Sequence, residues 1–281
     1  MNEHDSRLII QWRTSQFAQS LSKRTVTERA AILHRFANTM GVSPSEATMD
    51  DLVEWLASGE DWSPGTRNTY YRAMRAWFLW LQRTGHRIDN PMINITSPRV
   101  PRAEPKPLSD DNLRRVLAVR MHKRTRVMII LYALVGMRCA EIAKIRGENF
   151  DLVERTVTFT GKGGVKSTLP LHPLVVDVAW MMPREGWWFP TNSSRPEGGH
   201  IRGKSVGHII KQAIVRAGAQ GSAHSLRHWF GTALVDSGVD LRTTQELMRH
   251  ASLATTAKYT KVKDQRKVEG IHRLDPWKTA A

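Results

Sequence analysis

The sequence predicts a mainly α-helical chain in two domains, the first all-helical and the second a mixed α/β domain in which a small β-hairpin or sheet interrupts a series of helices. Three observations lead there. Apolar residues recur at helical spacing over most of the chain. The stretch Thr96 to Ser109 holds four prolines, three basic residues and no apolar period, which is the composition of an extended linker. Only from Arg155 to Leu171 does the pattern shorten towards a strand period, on either side of Gly161, Gly163 and Gly164. The domains are therefore set at residues 1–98 and 109–281, joined by a linker at 99–108.

In the first domain, a helix from about Asp5 to Leu21 would turn Leu8, Ile9, Trp12 and Phe17 to one side. Thr25 and Glu28 have the spacing of a capping box ahead of Ala30, Ile32, Leu33 and Phe36, and Gly41 ends that run. A short helix covers about Glu46 to Ala57. Ser63 then caps, and Pro64 opens, a long helix to about Arg83. It points Tyr70, Met74, Trp77, Phe78 and Leu81 towards a core and leaves Arg67, Arg72 and Arg75 available to phosphates. A core stripe beside merely solvated arginines is the plainer reading of the same pattern. In the second domain, helices are expected near Asp110 to Arg120, Arg124 to Val135 and Ala140 to Ile145. After the hairpin they resume at about Lys204 to Ala217, Ser225 to Ser237, Leu241 to Met248 and Leu253 to Tyr259. A basic amphipathic stretch from Lys263 to Leu274 follows, and no internal repeat is visible.

Composition narrows the function. The 281 residues are 41% hydrophobic and 24% charged, enough apolar content for one or two cores and too much for intrinsic disorder. Lys and Arg number 42 against 26 Asp and Glu, a formal charge of +16, and 29 of the 42 lie in residues 104–281. That excess favours a polyanionic partner, nucleic acid before all others. Cys139 is the single cysteine, which excludes an internal disulfide and a zinc finger and fits a reducing cytoplasm. The longest apolar run, Val127 to Met137, is far short of the roughly 20 residues that span a bilayer, and the polar start Met1 to Arg7 is no signal peptide. A soluble, cytoplasmic protein with no membrane partner is expected, associated with the nucleoid when it acts.

Three tempting motifs dissolve on inspection. GKGGVKST, residues 161–168, offers glycines, a lysine and a hydroxyl, but Val165 stands where a phosphate loop requires glycine before the lysine. Leu169 and Leu171 continue a strand pattern instead of a helix, so a hairpin tip presents Lys162 as a point charge; a solvated turn lysine is the plainer reading. Asp110, Asp111, Glu141 and Glu148 lack the spacing of a metal-binding carboxylate cluster. His224 and His228, one turn apart, flank Arg227, a poor setting for a cation. No metal and no cofactor are expected.

What remains is the equipment for metal-free phosphoryl transfer: a nucleophile, cations for the non-bridging oxygens and an acid for the leaving oxygen. GMRCAEI (136–142), the GKG of the hairpin, HSLRHWFGT (224–232), DSGVDLRTTQEL (236–247) and LMRHASLATTAKYT (247–260) follow one another in an order that resembles the tyrosine recombinase (phage integrase) family. The helical region ending in SPGTRNTYYRAMRAWFLWLQRTG, with the later Asn90-Pro91, is similar to that family's SAM-like core-site DNA-binding domain. Singly, each arginine, histidine or tyrosine is more simply a surface, capping or core-edge residue. Jointly, at these spacings, they require several independent coincidences.

The resemblance implies a site-specific recombinase, an integrase acting in phage or mobile-element integration and excision. Tyr259 would attack the scissile phosphate of double-stranded DNA, leaving a 3′-phosphotyrosyl link and a free 5′-hydroxyl. Arg138 and Arg227 would hold the charged oxygens with their planar forks, and His250 would add a hydrogen bond. Lys162 would protonate the leaving oxygen, and His224 would act as base or orienter beside the nucleophile. Glu141 would orient Arg138. The family implies a homotetramer on two sites and leaves open a host DNA-bending factor. It also implies a tail, with Val262, Val268, Ile271 and Leu274 on one face, that docks on a neighbouring protomer; packing on its own domain is the alternative.

Three positions depart from the family pattern or are unusual beside it. Arg249 stands where glycine usually precedes the histidine, Lys261 where histidine often follows the tyrosine, and Cys139 beside Arg138 is given no role. No small domain precedes the helical one, so the simple two-domain form is expected, without an arm-binding module. Arg249 tilts the choice towards an integrase and away from a Xer-like resolvase of chromosome or plasmid dimers. A type IB topoisomerase-like enzyme and a non-catalytic DNA-binding regulator are the remaining alternatives.

Overall fold

The computed structural model of the chain describes residues 1–101, 106–191 and 199–249. It is mostly helical, with one three-stranded antiparallel sheet. The chain divides between residues 103 and 104 into two compact units.

The first unit contains four helices, α1 (Glu3–Ala18), α2 (Lys23–Met40), α3 (Met49–Ser58) and α4 (Pro64–Arg83). Each begins at a side-chain cap. Asn2, Ser22, Thr48 and Ser63 accept from the backbone N–H three residues on, filling donors that a helix start leaves unpaired. The cap of α2 is thus Ser22, one turn before the Thr25–Glu28 spacing expected from sequence, and Glu28 pairs instead with Arg24 at 2.7 Å. Met40 gives way to Gly41, whose φ of +70° ends the helix.

The core of this unit is built on tryptophan. Trp12, Trp55 and Trp77 are fully buried with Phe36 and Phe78, and Trp12 meets Trp77 edge to face at 5.1 Å. Trp77 donates its indole N–H to the Pro44 carbonyl at 2.8 Å. On α1 the buried set is Asp5, Leu8, Ile9, Trp12 and Gln16, and Phe17 is 45% exposed. The helical period from Trp12 reaches position 16, where Gln16 is retained by a 2.9 Å bond from Arg29. Asp5 is completely buried, and its Oδ1 accepts from Ser43 Oγ at 2.8 Å and from Ser45 Oγ at 2.7 Å. This carboxylate ties α1 to the loop after α2.

The second unit runs α5 (Asp110–Ala118), α6 (Lys123–Leu134), α7 (Cys139–Ala143), β1 (Phe150–Asp151), β2 (Thr156–Thr160), β3 (Lys166–Pro170), α8 (Pro173–Trp180), α9 (Gly203–Arg216), α10 (Ala223–Asp236) and α11 (Leu241–Met248). The sheet order is β1-β2-β3, with Val157 opposite Leu169 and Phe159 opposite Ser167. β2 turns Val157 and Phe159 inward. The hairpin expected from sequence therefore gains a short third strand. Helix α8 adds an element where none was expected from sequence: His172 caps it and Pro173 fits its first turn.

Helix α6 is the centre of this unit. Val127, Met128, Ile129, Ile130, Leu131, Tyr132 and Ala133 are all buried, so it has no solvent face over that span. α8, α9 and α10 pack on it. α7 packs on α9 so closely that a Cβ at Gly203 would lie 2.9 Å from the Ala140 Cα, which fixes the short helix carrying Glu141. α10 and α11 form a hairpin around Phe230, Val235 and Met248. The helices expected at Leu253 to Tyr259 and Lys263 to Leu274 lie outside the described residues.

Replacing Asp5 by alanine should destabilise the first unit by about 2 kcal/mol, the range of hydrogen bonds to a charged group. Urea unfolding of the full chain followed by tryptophan fluorescence measures this; an unchanged midpoint would show that the carboxylate carries no load.

Candidate active site

The turn between α6 and α7 is shaped by Gly136. Its φ is +63°, and a Cβ there would stand 2.4 Å from the Phe230 ring, so both backbone and space require glycine. Its carbonyl points at two guanidiniums: it accepts from Arg227 Nη1 and, at 3.0 Å, from Arg249 Nη2.

Arg138 is the residue just before α7. Glu141, 4% exposed, reaches back to it with both oxygens: Oε2 accepts the Arg138 backbone N–H at 2.8 Å, and Oε1 accepts from Nη1 at 2.9 Å. The same Oε2 accepts from Arg249 Nη2 at 3.0 Å. The C-terminal end of α11 supplies two more anchors. Arg227 Nη2 donates to the Met248 carbonyl, and Arg138 Nη2 donates to the Arg249 carbonyl at 3.4 Å. Three guanidiniums from distant parts of the sequence thus converge on two turns and one carboxylate. Three guanidiniums against one carboxylate leave surplus positive charge, and the internal bonds fix their orientation.

Arg227 is buried on α10 at 6% exposure; Arg138 remains 38% exposed at its side chain. His224, one turn before Arg227, is exposed and its Nδ1 lies 3.1 Å from Tyr132 Oη. Burial pushes the Tyr132 phenol well above its ordinary pKa, so it stays protonated at any physiological pH. Cys139 donates its S–H to the same phenol oxygen at 3.7 Å.

The hairpin tip approaches the same place. A Cβ at Gly161 would lie 3.5 Å from Glu141 Oε1, so the chain reaches Lys162 directly beside the buried carboxylate. Gly163 and Gly164, at φ +79° and +80°, turn it back. The Lys162 side chain, His250 and Tyr259 lie outside the described residues. Of the expected set, the structure brings together Arg138, Arg227, His224 and the backbone at Lys162. Sequence reading gave no role to Tyr132 and treated Arg249 only as a departure; the signal for Arg249 was a bulky residue at a helix end where the chain turns left-handed.

The three arginines singled out on α4 differ from one another. Arg67 is used internally, donating to the carbonyls of Leu56 at 2.9 Å and Gly59 at 2.8 Å. Arg72 and Arg75 are exposed. Among the described residues no group of three His, Cys, Asp or Glu side chains is placed to hold a metal, and no helix is long and apolar enough to cross a membrane.

A largely helical domain with paired arginines at its centre and a small antiparallel sheet is that of a tyrosine-class site-specific recombinase. The chain belongs to the phage integrase family, whose model matches residues 106–266. Tyrosine recombinase XerA of Pyrococcus furiosus is 27% identical over 281 residues, covering 96% of this chain and 94% of that protein. The solved integrase from mycobacterium phage Brujita is 56% identical, with 98% of this chain and 94% of that chain covered, at a TM-score of 0.51. A lambda integrase dimer bound to a COC' core site shares the fold at a TM-score of 0.74 and 13% identity, with 98% of both chains covered.

Half-buried Cys139 should react slowly. Burial raises its thiol pKa, so less thiolate is present at a given pH, and the alkylation profile moves to higher pH than for a free cysteine. Iodoacetamide labelling of the native protein between pH 7 and 9.5 checks this; a rate at pH 8 equal to that of a model thiol would contradict the packing around Tyr132.

Proposed function

We propose that the protein is an integrase that cuts and rejoins double-stranded DNA through Tyr259, in phage or mobile-element integration and excision, as four protomers on two sites. The observation that carries this is the joint anchoring of Arg138 and Arg227. Their forks are held by the consecutive carbonyls of Met248 and Arg249, with Arg138 also bonded to the buried Glu141 and Arg227 to the Gly136 carbonyl, an arrangement suited to engaging a single phosphate.

In the forward step Tyr259 Oη, its proton passing to solvent water, forms a bond to phosphorus as the bond to the 5′-oxygen breaks. Negative charge grows on the non-bridging oxygens, where Arg138, Arg227 and His250 supply donors. Lys162, next to Gly161 at the hairpin tip, gives the departing 5′-oxygen its proton. His224 orients through its other ring nitrogen: Cys139 S–H to Tyr132 oxygen, then Tyr132 O–H to His224 Nδ1, uses each donor once and leaves Nε2–H for an oxygen at the site. The 3′-phosphotyrosyl ester preserves the bond energy, and attack by another 5′-hydroxyl reverses the step. Arg72 and Arg75 are available for backbone phosphates; Arg67 serves the end of α3.

A Xer-type resolvase uses the same chemistry and is the second reading. Identity of 56% to a phage integrase against 27% to a XerA favours integration.

Incubation with fragmented phage and genomic DNA, without added metal and with a detergent quench, should give a covalent protein–DNA adduct that Tyr259→Phe abolishes; an adduct from that variant would remove Tyr259 from the role of nucleophile. Arg138→Ala and Arg227→Ala should retain salt-sensitive DNA binding while losing adduct formation by roughly 100-fold or more. Undiminished cleavage by either would detach that arginine from the reacting phosphate.

A further inference from the structure

Arg249 has an expensive conformation. It ends α11 at φ +53° and ψ +49°, a left-handed geometry that glycine adopts freely and other residues seldom do. Its side chain is 11% exposed, with the guanidinium carbon 4.5 Å from the centre of the Phe159 ring. Nη2 bonds Gly136 and Glu141, but Nε and Nη1 are buried without a hydrogen-bond partner among the described residues. Burial pulls the guanidinium below its ordinary pKa, the charge of Arg138 acts in the same direction, and Glu141 opposes both. Glycine here would relieve the backbone but would leave the buried Glu141 with one guanidinium fewer.

Every contact Arg249 makes through Nη2 or its own carbonyl falls on a group that also holds Arg138 or Arg227. Glu141 binds Arg138, the Gly136 carbonyl binds Arg227, and the carbonyl of Arg249 itself receives Arg138. We propose that Arg249 is a positioning residue for the anion site. Its guanidinium locks the end of α11 onto the Gly136 turn and Glu141, so that the forks of Arg138 and Arg227 are aimed before an oxyanion enters. Sharing Glu141 between two guanidiniums also keeps the carboxylate from neutralising Arg138 alone. The identity of the anion as a DNA phosphate rests on the recombinase reading; the preset anion site does not.

The test compares the full chain with Arg249→Gly, Arg249→Lys and, as a charge control at the start of the same helix, Arg242→Ala, after thermal melting has identified the folded variants. The probe is orthovanadate, titrated calorimetrically. Arg249→Gly should bind roughly 10- to 100-fold more weakly, taking as the scale the loss when residues supporting the ligands of a metal site are removed. Arg249→Lys, which keeps the charge but loses the fork, should also weaken, and Arg242→Ala should match wild type. If Arg249 serves only to end the helix, glycine is the best replacement and affinity is unchanged. Wild-type affinity in either folded Arg249 variant overturns the proposal, as does a wild type that binds no orthovanadate. On DNA fragments trapped by wild type, adduct formation by Arg249→Gly at saturating protein should slow by a similar factor. Should wild type form no adduct while the orthovanadate difference stands, the recombinase reading fails and the role of Arg249 does not.

Discussion

The Glu141 carboxylate is the fixed point of the second unit. It is almost wholly buried, which would be costly for a lone charge, and it persists because two guanidiniums and a backbone N–H surround it. Once it is fixed, much else follows. Arg138 and Arg249 must approach from opposite parts of the sequence, the α6–α7 turn must present the Gly136 carbonyl, and the end of α11 must come to rest against that turn. The close contact between Gly203 and Ala140 keeps α7 from sliding and so holds the carboxylate at its depth.

The electrostatics of this arrangement explain why it is built from backbone carbonyls as much as from acids. A second carboxylate would satisfy the arginines and cancel their charge. Carbonyl oxygens of Gly136, Met248 and Arg249 orient the forks while leaving their formal charge intact. The first unit uses a buried acid differently: Asp5 accepts neutral serine hydroxyls and joins a helix to a loop, with no guanidinium among those partners.

Most of the architecture was legible because the signals are local. Ser63-Pro64, Gly41 and the apolar spacing around Trp77 announce helix ends and faces within a few residues. Where partners decide, the sequence misleads. Gln16 replaces Phe17 in the core because Arg29 reaches it, and α8, where no element was expected from sequence, starts where His172 and Pro173 set its first turn. At the site, Arg138, Arg227 and His224 could be found from motif order. The setting of Arg249 could not, since its carboxylate partner is 108 residues away and its inward turn depends on Phe159 from the sheet.

Helix α6 has a consequence for biosynthesis. Ribosomes release this chain from its N-terminus, so the fully apolar segment around Ile129 emerges before α8, α9 and α10 exist to cover it. Its cover is complete only when α10, which ends at Asp236, has been made. Until then the nascent second unit exposes a helix with no polar face, a natural docking segment for chaperones and a route to aggregation when translation outpaces them.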